Sequence, residues 1–142
     1  MRIMFVIMIF FIGVLTRFID HPPNFTPMLS IALMSGIYIK HRFGFILPLS
    51  IILFSNLFLE IGSIYVMVPI YATYLFIYLY GSYVSKGDFL SIFKSSFLGA
   101  ILFFIVTNFA VWFNCIILNS YFYSHDMAGL INCYVNALPF FR

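Results

Sequence analysis

Arg17, Asp20, His21 and Asn24 stand close together in Arg-Phe-Ile-Asp-His-Pro-Pro-Asn-Phe-Thr-Pro, residues 17–27, between two strongly apolar runs. Asn24 is the group there placed to face a ligand, Arg17 is expected to reach toward the lipid headgroups, and imidazole with carboxylates can hold a divalent metal ion. Further along, Asn108, Trp112, Cys115 and Asn119 follow spacings of four, three and four, which puts them on one face of a helix. An asparagine inside an apolar helix needs either a bond to a neighbouring helix or a ligand, and both readings stand for Asn108. Trp112 is an interfacial anchor or a stacking platform on the same terms. Glu60, the pair His125-Asp126, and Asn132 with Asn136 one turn later complete the polar inventory.

Other chemistry has less behind it. Asp20, His21, His125 and Asp126 would make a metal site only if two separate loops met, and Cys115 and Cys133 lack metal-ligand spacing and read as small apolar fillers. A nucleophile-and-base signature, a glycine-rich phosphate loop and a nucleotide motif are all missing from the sequence, so neither an enzyme nor a bound cofactor is expected. A basic patch with stacking aromatics is missing too, which argues against nucleic acid. Any ATP-driven step would need a separate subunit.

Composition sets the elements that must position these groups. Of the 142 residues, 64% are hydrophobic and only 8% charged, with a mean hydropathy of +1.11, against roughly 25% charged residues in an average soluble domain. The expectation is an all-α, polytopic transmembrane helical bundle forming a single domain over residues 1–142, with the lipid bilayer as its surroundings. Each span needs roughly 20 residues to cross about 30 Å of hydrocarbon, so the length allows about five or six. Met1–Thr16 resembles a secretory signal, but no small-residue cleavage site follows it, so it is read as a retained first helix.

Breakers divide the rest. Helix one runs over Ile3–Phe18 and is stopped by Pro22 and Pro23, which lack a donor and disfavour helical geometry before them. Helix two starts at Pro27, with Thr26 or Asn24 as its cap, and ends at Ile39. Helix three covers Phe43–Leu59 with Pro48 in its first turns, and Glu60-Ile61-Gly62-Ser63 makes a tight turn. Helix four covers Ile64–Val84 with a kink expected at Pro69. Phe89–Lys94 is expected to lie along the interface before helix five, Ser95–Leu118. A polar loop, Asn119–Asp126, then leads to a short helix at Met127–Leu138. Five spans plus a short carboxy-terminal helix result.

Short cytoplasmic loops are enriched in lysine and arginine. With the amino terminus inside, Arg2, Lys40, Arg42, Lys86 and Lys94 are all cytoplasmic, while Asp20, His21, Asn24, Glu60, His125 and Asp126 gather outside. Small residues at Ser91, Ser95 and Gly99, and at Ser35 and Gly36, offer surfaces for close helix packing within the bundle or for a partner subunit. Tyr71, Tyr74 and Tyr78 share a helical face that builds packing or lines a pocket.

The string His21-Pro22-Pro23-Asn24-Phe25-Thr26-Pro27, the stretch Thr107-Asn108-Phe109-Ala110-Val111-Trp112 and the ending Ala137-Leu138-Pro139-Phe140-Phe141-Arg142 together carry a resemblance. They resemble a family of small, uncharacterised bacterial integral membrane proteins. In size and topology the chain is similar to the substrate-binding membrane subunits, or S components, of energy-coupling factor vitamin transporters. That resemblance implies a six-helix bundle holding a vitamin-like molecule near the outer face under its first, third and fifth loops, which here contain Asn24, Glu60 and His125. It also implies a membrane coupling subunit and ATPase subunits as partners, and a bacterial or organellar inner membrane as location. Helix one offers only Gly13 where such subunits carry paired alanines, and the last helix of relatives is missing here or replaced by Met127–Phe141. The expected function is thus substrate capture through Asn24, Glu60, Asn108, Trp112, His125 and Asn132, with a structural or accessory subunit of a larger membrane complex as the alternative.

Overall fold

A computed structural model describes residues 2–19, 27–39, 43–59 and 62–138. Among them the chain is all α-helical, without a strand. The helices are α1 (Arg2–Phe18), α2 (Met28–Met34), α3 (Ile46–Asn56), α4 (Ile64–Tyr83), α5 (Phe89–Ile117) and α6 (Met127–Ala137). A π-helical turn, Ser35–Ile39, continues α2 without a break. There the Ser35 hydroxyl donates to the Ile31 carbonyl at 2.6 Å, a side-chain bond that competes with the helical ladder.

Local chemistry accounts for the helix ends. Ser63 accepts from the Tyr65 N–H to start α4, Asp88 accepts from Leu90 N–H to start α5, and Asp126 accepts from Gly129 N–H to start α6. Each side-chain oxygen takes up an N–H that has no partner within the helix. Asp88 also accepts from the Ser91 hydroxyl. Phe89–Lys94 is therefore the first part of α5 rather than a separate interfacial segment, because the cap sits before it and nothing between Lys94 and Ser95 breaks the ladder. Helix three is shorter than its apolar run, since Phe43–Phe45 form a turn and the helix ends at Asn56. Pro69 lies inside α4, as expected, and the Thr73 hydroxyl donates to its carbonyl at 2.7 Å.

Side-chain contacts fix the helix directions. Gly13 faces Ile51 and Arg17 meets Asn56, so α1 and α3 run parallel. Asn56 also meets Tyr71, whereas Phe45 packs on Tyr78, so α4 runs back against α3. Tyr74 packs on Phe103 with ring centroids 5.2 Å apart while Ile77 faces Gly99, so α5 returns antiparallel to α4. Cys133 meets Asn108 and Tyr134 meets Ile105, which sets α6 antiparallel to α5. One end of the bundle thus carries Arg17, Asn56, the start of α4, the end of α5 and the 118–126 loop.

At the centre, Met28, Leu33, Ile37, Ile51, Ile52 and Ile77 are fully enclosed. The tightest approach is between the π turn and α4. A Cβ added to Gly36 would stand 2.1 Å from the Tyr78 carbonyl oxygen, and one added to Gly81 would stand 2.5 Å from that of Leu33. Gly36, Ser95 and Gly99 are all buried within the bundle, and so is Gly13. The small residues are spent on internal packing.

Outside this centre the surface is apolar. On α5 alone Phe89, Phe93, Phe97, Ile101, Ile105, Phe109 and Phe113, four residues apart along the whole helix, are exposed. Monomers in water rarely expose contiguous apolar patches above a few hundred Å². Two helices, α4 and α5, are long and apolar enough to cross a membrane. Met4–Phe18, Met28–Ile39 and Ile46–Asn56 are apolar but shorter, the last rising about 17 Å at 1.5 Å per residue.

Candidate functional site

Asn56, in the last turn of α3, is 7% exposed and gathers polar groups from three helices. Arg17, in the last turn of α1, donates from Nη2 to its Oδ1 at 3.0 Å. The Asn56 Nδ2 donates to the Tyr71 hydroxyl of α4 at 3.1 Å and lies 3.6 Å from the Met67 sulfur. Arg17 therefore turns inward to a partner, and a guanidinium fork of five N–H donors stands at this end of an apolar bundle. Of the three tyrosines on one face of α4, Tyr74 and Tyr78 are packing residues, buried against Phe103 and Phe45. Tyr71 joins the polar network through Asn56.

A further polar group, Asn114, stands on α5. Its Oδ1 is buried and has no partner among the described residues. On α5 it continues the face of Phe103, Thr107 and Ala110, all buried. Because α5 runs antiparallel to α4 from the Phe103–Tyr74 contact, Asn114 belongs at the end where α4 begins, the end that carries Arg17 and Asn56. Leaving a buried acceptor unsatisfied costs about 1–3 kcal/mol, so such an atom calls for an explanation.

The residues singled out on α5 and α6 hold that side of the bundle together. Asn108 donates from Nδ2 to the Phe104 carbonyl one turn back in its own helix, at 2.7 Å, and its backbone carbonyl accepts from the Cys133 thiol at 3.4 Å. Trp112 donates from Nε1 to the Ser124 carbonyl at 3.1 Å, and its ring leans on Phe109. His125 is exposed, with Nε2 3.1 Å from the Ser120 carbonyl, and Asn132 is exposed on α6. Cys115 and Cys133 are buried free thiols. Asn24, Glu60, Asp20 and His21 lie outside the described residues. Among the described residues no group of three His, Cys, Asp or Glu could hold a metal ion.

Two grooves lie elsewhere. One of about 480 Å³ runs between α1 and α3 toward the opposite end, lined by Val6, Phe10, Ile39 and Leu47 among others. Another of about 340 Å³ lies between α4 and α5, at Pro69, Thr73 and Leu102. Neither is lined by Arg17, Asn56, Asn108 or Trp112.

The family model described as "Family of unknown function (DUF6580)" matches residues 1–142. The chain belongs to this DUF6580 family. No curated protein and no solved structure matches it. What the site does must therefore be argued from its own chemistry.

Neither Asn56 nor Asn114 stood out in the sequence, although each is a carboxamide in an otherwise apolar run. The signal is the same as that of Asn108, and only packing separates the three. Asp126 shows the same local use of polar groups, since the Ser124 hydroxyl, at 2.6 Å, and then the Gly129 N–H hold its carboxyl below its ordinary 3.8. Asp88 is lowered likewise, first by the Ser91 hydroxyl. A carboxylate depressed by folding stabilises the fold fully above its unfolded value and loses that contribution as pH falls through the folded one. Thermal unfolding of the purified chain should therefore be insensitive to these groups from neutral pH down to about 4 and weaken below it. Asp126→Asn should flatten that acid decline, and an unchanged pH profile would count against the cap.

Proposed function

We propose that the chain is an integral membrane protein, a polytopic helical bundle with its amino terminus cytoplasmic, that captures a small vitamin-like molecule at its outer end for uptake, in the manner of an S component. The observation that carries this is the Arg17–Asn56–Tyr71 network, polar groups from α1, α3 and α4 held together at one end of an apolar bundle. Ionisable groups at such a place are costly and mark substrate pathways. The exposed aromatic and aliphatic surface supports the bilayer as surroundings, and α4 and α5 are long enough to cross it. Met4–Phe18, Met28–Ile39 and Ile46–Asn56 are apolar and shorter, and in this reading they cross together with the residues that flank them, with α6 as the short sixth helix. Basic residues near the ends of the helices set the orientation and put Arg17 outside.

In this reading Arg17 binds a carboxylate or carbonyl of the ligand, and Asn56 holds the guanidinium fork in place. Tyr71 fixes the Asn56 amide, and Asn114 accepts from a ligand N–H or O–H. Asn24 and Glu60 come from the loops that follow α1 and α3, and Glu60 is four residues beyond Asn56. Asn108, Trp112 and His125 support the site by fastening α5, the 118–126 loop and α6, while Asn132 stays exposed on α6. No catalytic residue is assigned. A membrane coupling subunit with ATPases would supply the driving force. A thermal-shift screen of the purified chain against vitamins and nucleobase-like compounds tests the reading, and stabilisation by none of them would count against it.

A second reading has its own support. Asn108 and Trp112 are engaged in bonds within the bundle, and the exposed phenylalanine ridge of α5 could pack against another membrane helix. On that basis the chain would be a structural or accessory subunit of a larger complex with no ligand of its own. Recovery of the chain in a stable complex lacking any ATPase would favour it.

A further inference from the structure

We infer that the groove between α1 and α3 is a seat for an acyl chain of an anionic phospholipid, with the headgroup at the end of the bundle opposite Arg17. The inference rests on the membrane placement proposed above and not on substrate capture. The groove, about 480 Å³, is lined by α1 from Val6 to Phe11, by α3 from Ile46 to Ser50, and by Ile39, Phe43 and Gly44. Its polar side chain is Ser50, whose hydroxyl is already committed to the Leu47 carbonyl at 3.0 Å. A polar solute would find nothing to bond there, whereas a hydrocarbon chain loses nothing by entering. Ile7, Phe11, Phe43 and Ile46 at the rim are about half exposed, so the groove opens sideways to the surroundings and not into the bundle.

Charge selects the headgroup. In the sequence Arg2 stands four residues before Val6, and Lys40 and Arg42, which lie outside the described residues, adjoin Ile39 and Phe43. Lys86 lies over the Tyr38 ring, 5.9 Å from its centroid, and Tyr38 is the neighbour of Ile39. The one acid of the 85–88 connection, Asp88, is occupied in capping α5. The π turn contributes too, because Tyr38 and Ile39 are its last residues and the widened turn sets their side chains off the 3.6-residue repeat of α2. An apolar lining, with Lys86 over the neighbouring Tyr38 and basic residues adjoining the lining in the sequence, matches a lipid with hydrocarbon tails and a negative phosphate.

The test uses the full chain purified in a neutral detergent and its thermal unfolding against added lipid. Phosphatidylglycerol should raise the unfolding temperature with an affinity about tenfold above that of phosphatidylcholine carrying the same chains. Inorganic phosphate should have no effect. Ile7→Trp at the rim and Ser50→Leu on the floor should each abolish the phosphatidylglycerol shift. Ser50→Leu is the second arm should Ile7→Trp unfold the chain. Equal shifts for the two lipids, a shift from phosphate alone, or a shift that survives both substitutions would overturn the inference. A chain that shows no lipid preference yet binds a small molecule through Arg17 loses this inference alone, whereas release into the soluble fraction at alkaline pH would remove the membrane placement beneath both.

Discussion

Gly36→Ala is expected to destabilise the bundle by roughly 3 kcal/mol or more, the upper end of what overpacking costs. The added Cβ would stand 2.1 Å from the Tyr78 carbonyl oxygen and 3.0 Å from the Gly81 Cα. Both are backbone atoms of α4, so no rotamer change relieves the clash and the two helices must separate. Separation would open the centre of the core, where Leu33, Ile37 and Ile77 are fully enclosed. Gly81→Ala should act alike, through the Leu33 carbonyl at 2.5 Å. The double substitution should cost less than the sum, because one displacement of α4 relieves both contacts. Gly99→Ala is the control, since its Cβ would meet Ile77 at 3.8 Å, an ordinary contact. There alanine gains up to about 1 kcal/mol in helix propensity. Thermal unfolding of the four variants checks this, and equal stability of Gly36→Ala and Gly99→Ala would refute the crossing.

Asn56→Leu is expected to cost about 1–3 kcal/mol in stability and, on the proposed capture function, to abolish ligand binding. Leucine keeps the volume but leaves the Arg17 fork and the Tyr71 hydroxyl without their described partner. Asn56→Asp separates the two effects. A carboxylate would hold Arg17 more strongly and still accept from the Tyr71 hydroxyl, so the fold should survive. Binding should nonetheless weaken, because the guanidinium is then neutralised by the protein instead of by the ligand. Loss of binding in Asn56→Leu together with full binding in Asn56→Asp would instead mean that Arg17 does not face the ligand.

Helix ends were readable because they rest on local chemistry. Pro27, Ser63 and Asp126 mark starts that the structure places within a residue or so of the expected positions, whereas α5 starts at Phe89 and not at the expected Ser95, because Asp88 caps it. The π turn was not readable, since in Met28–Ile39, an almost uniformly apolar run, a change of helical period shifts no polar pattern. The length of α3 was hidden for the same reason. For the site, the sequence marks carboxamides in apolar helices but not their partners. Asn108 satisfies itself one turn back, Asn56 bridges three helices, and Asn114 keeps an acceptor without a partner among the described residues. These three outcomes depend on which helix lies opposite, which only packing decides.

The most direct test of an outer-end capture site is thermal unfolding of Asn114→Leu beside the unsubstituted chain and Arg17→Gln, each with and without the vitamin and nucleobase panel. Removing a buried acceptor that has no partner among the described residues should stabilise the ligand-free chain by about 1–3 kcal/mol. The same substitution should erase or sharply reduce the shift produced by whichever compound stabilises the unsubstituted chain, and Arg17→Gln should do so as well. A panel that shifts none of the three proteins, or a ligand shift of equal size in all three, would contradict the site.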